Sequence, residues 1–154
     1  MFNFGLMLET NWPVGKRFDL GVKTFTEKEI ISYAKQFDPL PFHLNRKAAE
    51  SSRFKGLVCS GGQAFYHFYV NAWVPLFGET VEAGLGIKDW KFLAPIYENE
   101  KIEAACVIQS SRLTKDSAFC INRWEFTFNS VKVNEKQVQY LLLDVMHQNS
   151  YNYE

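Results

Sequence analysis

Residues 63–77 read QAFYHFYVNAWVPLF and are apolar on nearly every side. A helix without a polar face has to be covered all round, so the rest of the chain is expected to wrap this segment. Ser60 or Gly61 stands where such a helix would take its N-cap. Downstream, Ile102, Ala104, Cys106 and Ile108 alternate with more polar neighbours, as do Cys120, Trp124, Phe126 and Phe128 with Arg123, Glu125 and Thr127. That two-residue period is the mark of half-buried strands. Lys115-Asp116 lies between the two runs and suits a hairpin turn. Residues 81–93 and 138–146 are further strand candidates with less regular alternation.

The first half is punctuated by caps and prolines. A short strand is expected over residues 17–25. Thr26-Glu27-Lys28-Glu29 then has the form of a capping box, in which Thr26 and Glu29 satisfy each other's amides. Ile30, Ala34 and Phe37 follow at helical spacing. Pro39 cannot continue the helix and disfavours helical geometry at Asp38, which ends it at about Phe37. The two prolines of Asp38-Pro39-Leu40-Pro41-Phe42-His43 predict a stiff, non-helical segment, followed by a short helix over residues 46–52. The order is strand, helix, short helix, buried helix, then strands. This is an α+β chain in which an antiparallel sheet wraps a long buried central helix. With no internal repeat or linker, residues 1–154 read as a single domain.

Lys and Arg number 17, as do Asp and Glu, so the chain lacks the broad positive footprint of a nucleic-acid binder. Cys59, Cys106 and Cys120 show no CxxC spacing and read as buried thiols in a reduced, cytoplasmic setting. The N-terminus has no basic leader, and its apolar run is broken by Asn3 and Glu9, so no signal peptide is expected. The apolar stretch 64–77 carries His67, Asn71 and Pro75 and falls short of the roughly 20 residues a membrane span requires, so no membrane partner is expected. The histidines and cysteines have no ligand spacing, and no metal or other cofactor is expected.

Asp38 and His43 lie five apart in the proline-braced segment. In an extended strand they would face opposite sides, but a bent path lets carboxylate and imidazole converge as a proton-transfer pair. Spacing alone favours a capping Asp and a His satisfied by backbone groups, because Asp is common in turns. Ser60-Gly61-Gly62 opens the buried helix, where free amides and the helix dipole stabilise a negative oxygen; an ordinary cap accounts for it as well. Arg46, Lys47, Arg53 and Lys55 read as a solvated face rather than as phosphate ligands. His67 reads as a hydrogen-bonded core residue, His147 as lying near a ragged C-terminus, and Tyr66 and Tyr69 as packing residues that would also suit an acyl tunnel.

Taken together these features resemble the MaoC-like dehydratases, a family that includes (R)-specific enoyl-CoA hydratases. The resemblance is carried by Gly15 and Phe18, Thr26, the Asp38 to His43 segment, Ala49-Glu50-Ser51-Ser52-Arg53-Phe54, Ser60-Gly61, and Trp90-Lys91-Phe92-Leu93-Ala94-Pro95-Ile96. It implies a hot-dog fold, a homodimer or higher homo-oligomer, and hydration of a trans-2-enoyl thioester or dehydration of a 3-hydroxyacyl thioester, with coenzyme A present only as part of the substrate. It implies Asp38 and His43 as the catalytic pair, with Gly61, Ser60 and Ser52 on the oxyanion and substrate side. Two positions depart from the family pattern: Leu40 replaces an Asn, and Ser60 stands where a His is frequent. The competing readings are a hot-dog thioesterase and a non-catalytic acyl-thioester-binding module.

Overall fold

The computed structural model describes residues 10–115, 118–151 and 153. Residues 1–9, on which the reading of the N-terminus partly rests, and Asp116 of the expected turn lie outside the described residues. Strand β1 spans Arg17–Thr24. Helix α1, Glu27–Phe37, begins with the expected capping box: Thr26 Oγ1 accepts from the Glu29 amide and Glu29 accepts from the Thr26 amide. Two short helices follow, α2 over Pro41–Leu44 and α3 over Arg46–Glu50, the second capped by Asn45, whose side chain accepts from the Ala48 amide at 2.9 Å.

The central segment starts with α4, Gly61–Phe68, passes through a π turn at Tyr69–Trp73 and ends in α5, Val74–Phe77. Pro75 explains the wide turn, because it has no amide to give to the carbonyl of Asn71. The Val74 amide reaches back to Tyr69 instead. Four strands complete the chain: β2 (Val81–Phe92), β3 (Lys101–Leu113), β4 (Phe119–Ser130) and β5 (Gln139–Ser150).

All five strands form one antiparallel sheet in the order β1-β3-β4-β5-β2, which leaves β1 and β2 at its edges. β1 shifts register between Asp19 and Gly21, and Gly21 takes the positive φ of +96° that this bulge demands. The inner face of the sheet closes on the helix. Trp124, Phe126 and Phe128 of β4 and Leu141 and Leu143 of β5 meet Ala64, Phe68, Trp73 and Phe77, all buried. Trp73 packs edge-on against Trp124 at 5.0 Å between ring centroids. This is the hot-dog arrangement, a curved sheet around a central helix. No described helix is long and apolar enough to cross a membrane.

Three local expectations are corrected. The central helix is covered on its sheet side, but Tyr66, Val70, Val74 and Leu76 are exposed, because a single five-stranded sheet surrounds only part of a helix's circumference. His43 sits on a helical turn, since Pro41 at its first position starts a helix as readily as it stops one. His147 belongs to a regular strand that runs to Ser150, where the Trp12 indole donates to the Ser150 carbonyl. Its imidazole is 5% exposed and stacks on Trp73 at 4.9 Å.

Candidate functional site

Both sides of the Asp38 to His43 segment are held by the backbone. The Asp38 amide closes α1 on the Ala34 carbonyl, and the Asp38 carbonyl accepts from the Leu40 amide at 2.8 Å. The His43 amide donates to the Leu40 carbonyl at 2.9 Å. The chain thus turns back on itself through Pro39 and Pro41, bringing His43 Nε2 to 3.4 Å from Asp38 Oδ2. His43 is buried (7% exposed), while Asp38 is half-buried and opens towards solvent.

Each member of the pair also makes the bland contact that spacing allowed. Asp38 ends a helix, and His43 Nδ1 lies 2.6 Å from the Val58 carbonyl. A carbonyl can only accept, so Nδ1 carries a hydrogen. Nε2 is thereby the ring nitrogen left to face Asp38, and the backbone contact is what aims it at the carboxylate.

Ser60 donates its hydroxyl to Asp38 Oδ2 at 2.8 Å. It makes no side-chain cap bond to α4, so the first-turn amides of Gly61 and Gly62 have no acceptor within the helix. Positive ends of these amide dipoles are thereby left next to the pair. Gly61 is glycine for a packing reason as well: a Cβ there would stand 2.5 Å from Phe92 Cε1 and 3.1 Å from Leu141 Cδ2. At Gly62 the corresponding atom would come within 2.9 Å of the Tyr33 hydroxyl.

Asp38, His43 and Gly61 line one cleft of about 450 Å³, with walls of Leu40, Phe42, Phe54, Val58, Phe92 and Leu141 among others. Leu40 thus gives the cleft an apolar wall beside the carboxylate. Arg53 also lines it, its guanidinium over the Phe54 ring, whereas Arg46 is spent on Glu27 and Glu98. All four basic residues, Arg46, Lys47, Arg53 and Lys55, are nonetheless exposed, as expected of a solvated face. Ser52 is brought elsewhere: its hydroxyl donates to the Ala49 carbonyl at 2.5 Å and accepts from the Phe54 amide, bracing the turn behind the cleft without lining it. Cys59 reaches the cleft wall, and burial pushes its thiol far above the ordinary range, which keeps it protonated and inert.

Sequence reasoning missed Phe92 and Val58. Phe92 was legible only as a strand residue, and Val58 acts through its backbone, which leaves no mark on the sequence.

A carboxylate and an imidazole in contact at an apolar cleft, beside the N-terminus of a sheet-wrapped helix, mark the candidate site of a hot-dog fold. The family described as MaoC like domain matches residues 10–126, and the chain belongs to it. Among curated proteins, an uncharacterized protein of Bacillus subtilis, YdeM, is 22% identical over 135 residues, covering 85% of this chain and 95% of that one. Among solved structures, a MaoC-like dehydratase from Rhodospirillum rubrum superposes with a TM-score of 0.77 at 20% identity, covering 92% of this chain and 95% of that chain. An (R)-hydratase from A. caviae involved in PHA biosynthesis gives 0.64 at 15% identity, covering 90% and 98%. At these identities the two structures are matches of fold.

Proposed function

We propose that the protein is a lyase that adds water to a trans-2-enoyl thioester, or removes it from a 3-hydroxyacyl thioester. The observation that carries this reading is His43 Nε2 aimed at Asp38 Oδ2 by the bond from Nδ1 to the Val58 carbonyl. Family membership and the fold shared with a hydratase support it. In the hydration direction, a water held by the pair gives one proton to it while its oxygen bonds to C3. The electron pair of the C2–C3 double bond moves towards the carbonyl, whose oxygen takes up negative charge facing the Gly61 amide. C2 then receives a proton from the pair, so Asp38 and His43 end as they began. The apolar walls suit the acyl chain, and Ser60 holds the carboxylate in place.

The test is the loss of enoyl absorbance when purified protein meets crotonyl-CoA and a longer trans-2-enoyl-CoA. Asp38→Asn and His43→Ala should each lower the rate by about a hundredfold or more, the usual worth of a positioned acid or base. Unchanged absorbance with the wild type at every chain length would sink the reading. Release of free thiol would point to thioester hydrolysis instead.

The same reading takes the active form to be a homodimer. Edge strand β2 is 12 residues long and exposes Leu85 (42%) and Ile87 (48%), while Tyr66, Val70 and Val74 form an apolar stripe on the central helix. An unpaired apolar edge of that length is an open template for another strand, and a second copy related by two-fold symmetry brings an identical edge to pair with it.

A further inference from the structure

Phe92 is 70% exposed, yet its ring is anything but idle. It is the last residue of β2, paired in register with Leu141, and the two amides that follow, Leu93 and Ala94, both donate to the Tyr140 carbonyl, at 2.8 and 3.3 Å. The backbone is thus pinned while the side chain has solvent on its outer side. On its inner side the ring lies directly over the α-carbon of Gly61, close enough that any Cβ there would collide with Cε1 and Cδ1, at 2.5 and 2.9 Å. One flank stacks on Trp90 at 5.5 Å between centroids. Phe92 lies about 16 Å along the strand from Ile87, at the cleft end of the same edge strand.

We propose that Phe92 is the gate of the cleft and sets which substitution at C2 of the acyl group is accepted. This rests on the hydratase reading for its substrate frame. With the thioester oxygen at the Gly61 amide and C3 at the Asp38–His43 pair, C2 lies between them, in the space that the Phe92 ring borders. A hydrogen at C2 fits beneath the ring; a methyl branch meets it. Lying over Gly61, the ring also shields the enolate-like oxygen from water.

The test compares wild type, Phe92→Ala and Phe92→Trp in two assays. The first is hydration of crotonyl-CoA and of its 2-methyl analogue. The second is equilibrium binding of the saturated butyryl-CoA and 2-methylbutyryl-CoA, which needs no turnover. Phe92→Ala should raise the branched-to-unbranched ratio of kcat/KM, and the matching ratio of affinities, by about tenfold, the worth of one methyl group in a tight apolar pocket. Phe92→Trp should lower both. Because the side chain is largely exposed, melting temperature should stay close to wild type in both variants. Ratios that stay the same while the wild type hydrates crotonyl-CoA overturn the gate and leave the lyase standing. Affinity ratios that move in a wild type and variants inert towards enoyl thioesters support the gate and remove the lyase. A wild type that binds none of the thioesters overturns both.

Discussion

The hydroxyl of Ser60 sits where helix caps are usually made, and its bond to Asp38 Oδ2 instead leaves the α4 amides open. One side chain thus serves both halves of the site, by steadying the carboxylate and by not closing the helix end. Ser60→Ala should lower kcat on crotonyl-CoA by about tenfold with little change in KM, since a hydrogen bond to a charged group is worth about 1.5–3 kcal/mol. Ser60→Thr, which keeps the hydroxyl, should recover most of it. A loss in KM alone would assign Ser60 to substrate binding. Gly61→Ala is the complementary probe. The Phe92 ring can give way but buried Leu141 must shift, so destabilisation of about 1 kcal/mol is expected. In a Phe92→Ala background the cost should shrink, because the closer contact is gone; denaturant unfolding of the single and double variants measures this coupling.

At the scale of elements, α1 and the proline turn act as a bracket. The capping box fixes where α1 begins, eleven residues of helix fix where it ends, and Asp38 is placed by that ending. Thr26→Ala should cost about 1 kcal/mol, read as a fall of about 2–4 °C in melting temperature for a chain of this size. Much of this bracket was legible. The capping box, the stop before Pro39 and the alternating strands are local signals, and each stands where residue chemistry places it. The helical turn at His43 was not legible, because Pro41 carries opposite meanings for the turn it ends and the turn it starts. The half-open flank of the central helix was hidden too: an apolar surface looks the same in sequence whether its own sheet or another chain covers it.

Across the whole molecule, a pH effect on the acid side is expected at His147, far in sequence from the Asp38 to His43 segment. Burial against Trp73 holds its imidazole down at about 4, with only the Tyr69 hydroxyl, 3.3 Å away, facing Nε2 among the described contacts. The unfolded chain protonates this group below about pH 6.5, whereas the native one waits until about 4. Between those values the unfolded state binds more protons, so stability rises with pH and is lost as pH falls. The loss is on the order of 3 kcal/mol at about 1.4 kcal/mol per unit. Urea unfolding at pH 7 and pH 4.5 should show it, and His147→Gln should flatten the slope by about one proton. The assembly belongs to this scale as well. Ile87→Glu, which places a charge on the apolar edge of β2, should convert a dimer to monomer in sedimentation; a wild type that sediments as a monomer removes that proposal.

The sequence by itself determined what is local. Caps, prolines and alternation set the elements and their order, and the motif from Asp38 to His43 with Ser60-Gly61 named the candidate site. Only the tertiary structure decided how they meet. The orientation of His43 depends on a carbonyl fifteen residues away, the task of Ser60 on a carboxylate twenty-two residues back, and the cover over Gly61 on a ring from an edge strand. The physical reason is that hydrogen-bond partners and steric neighbours are chosen by folding across the chain. Residue type limits what a side chain can do, and position in space selects which of those things it does.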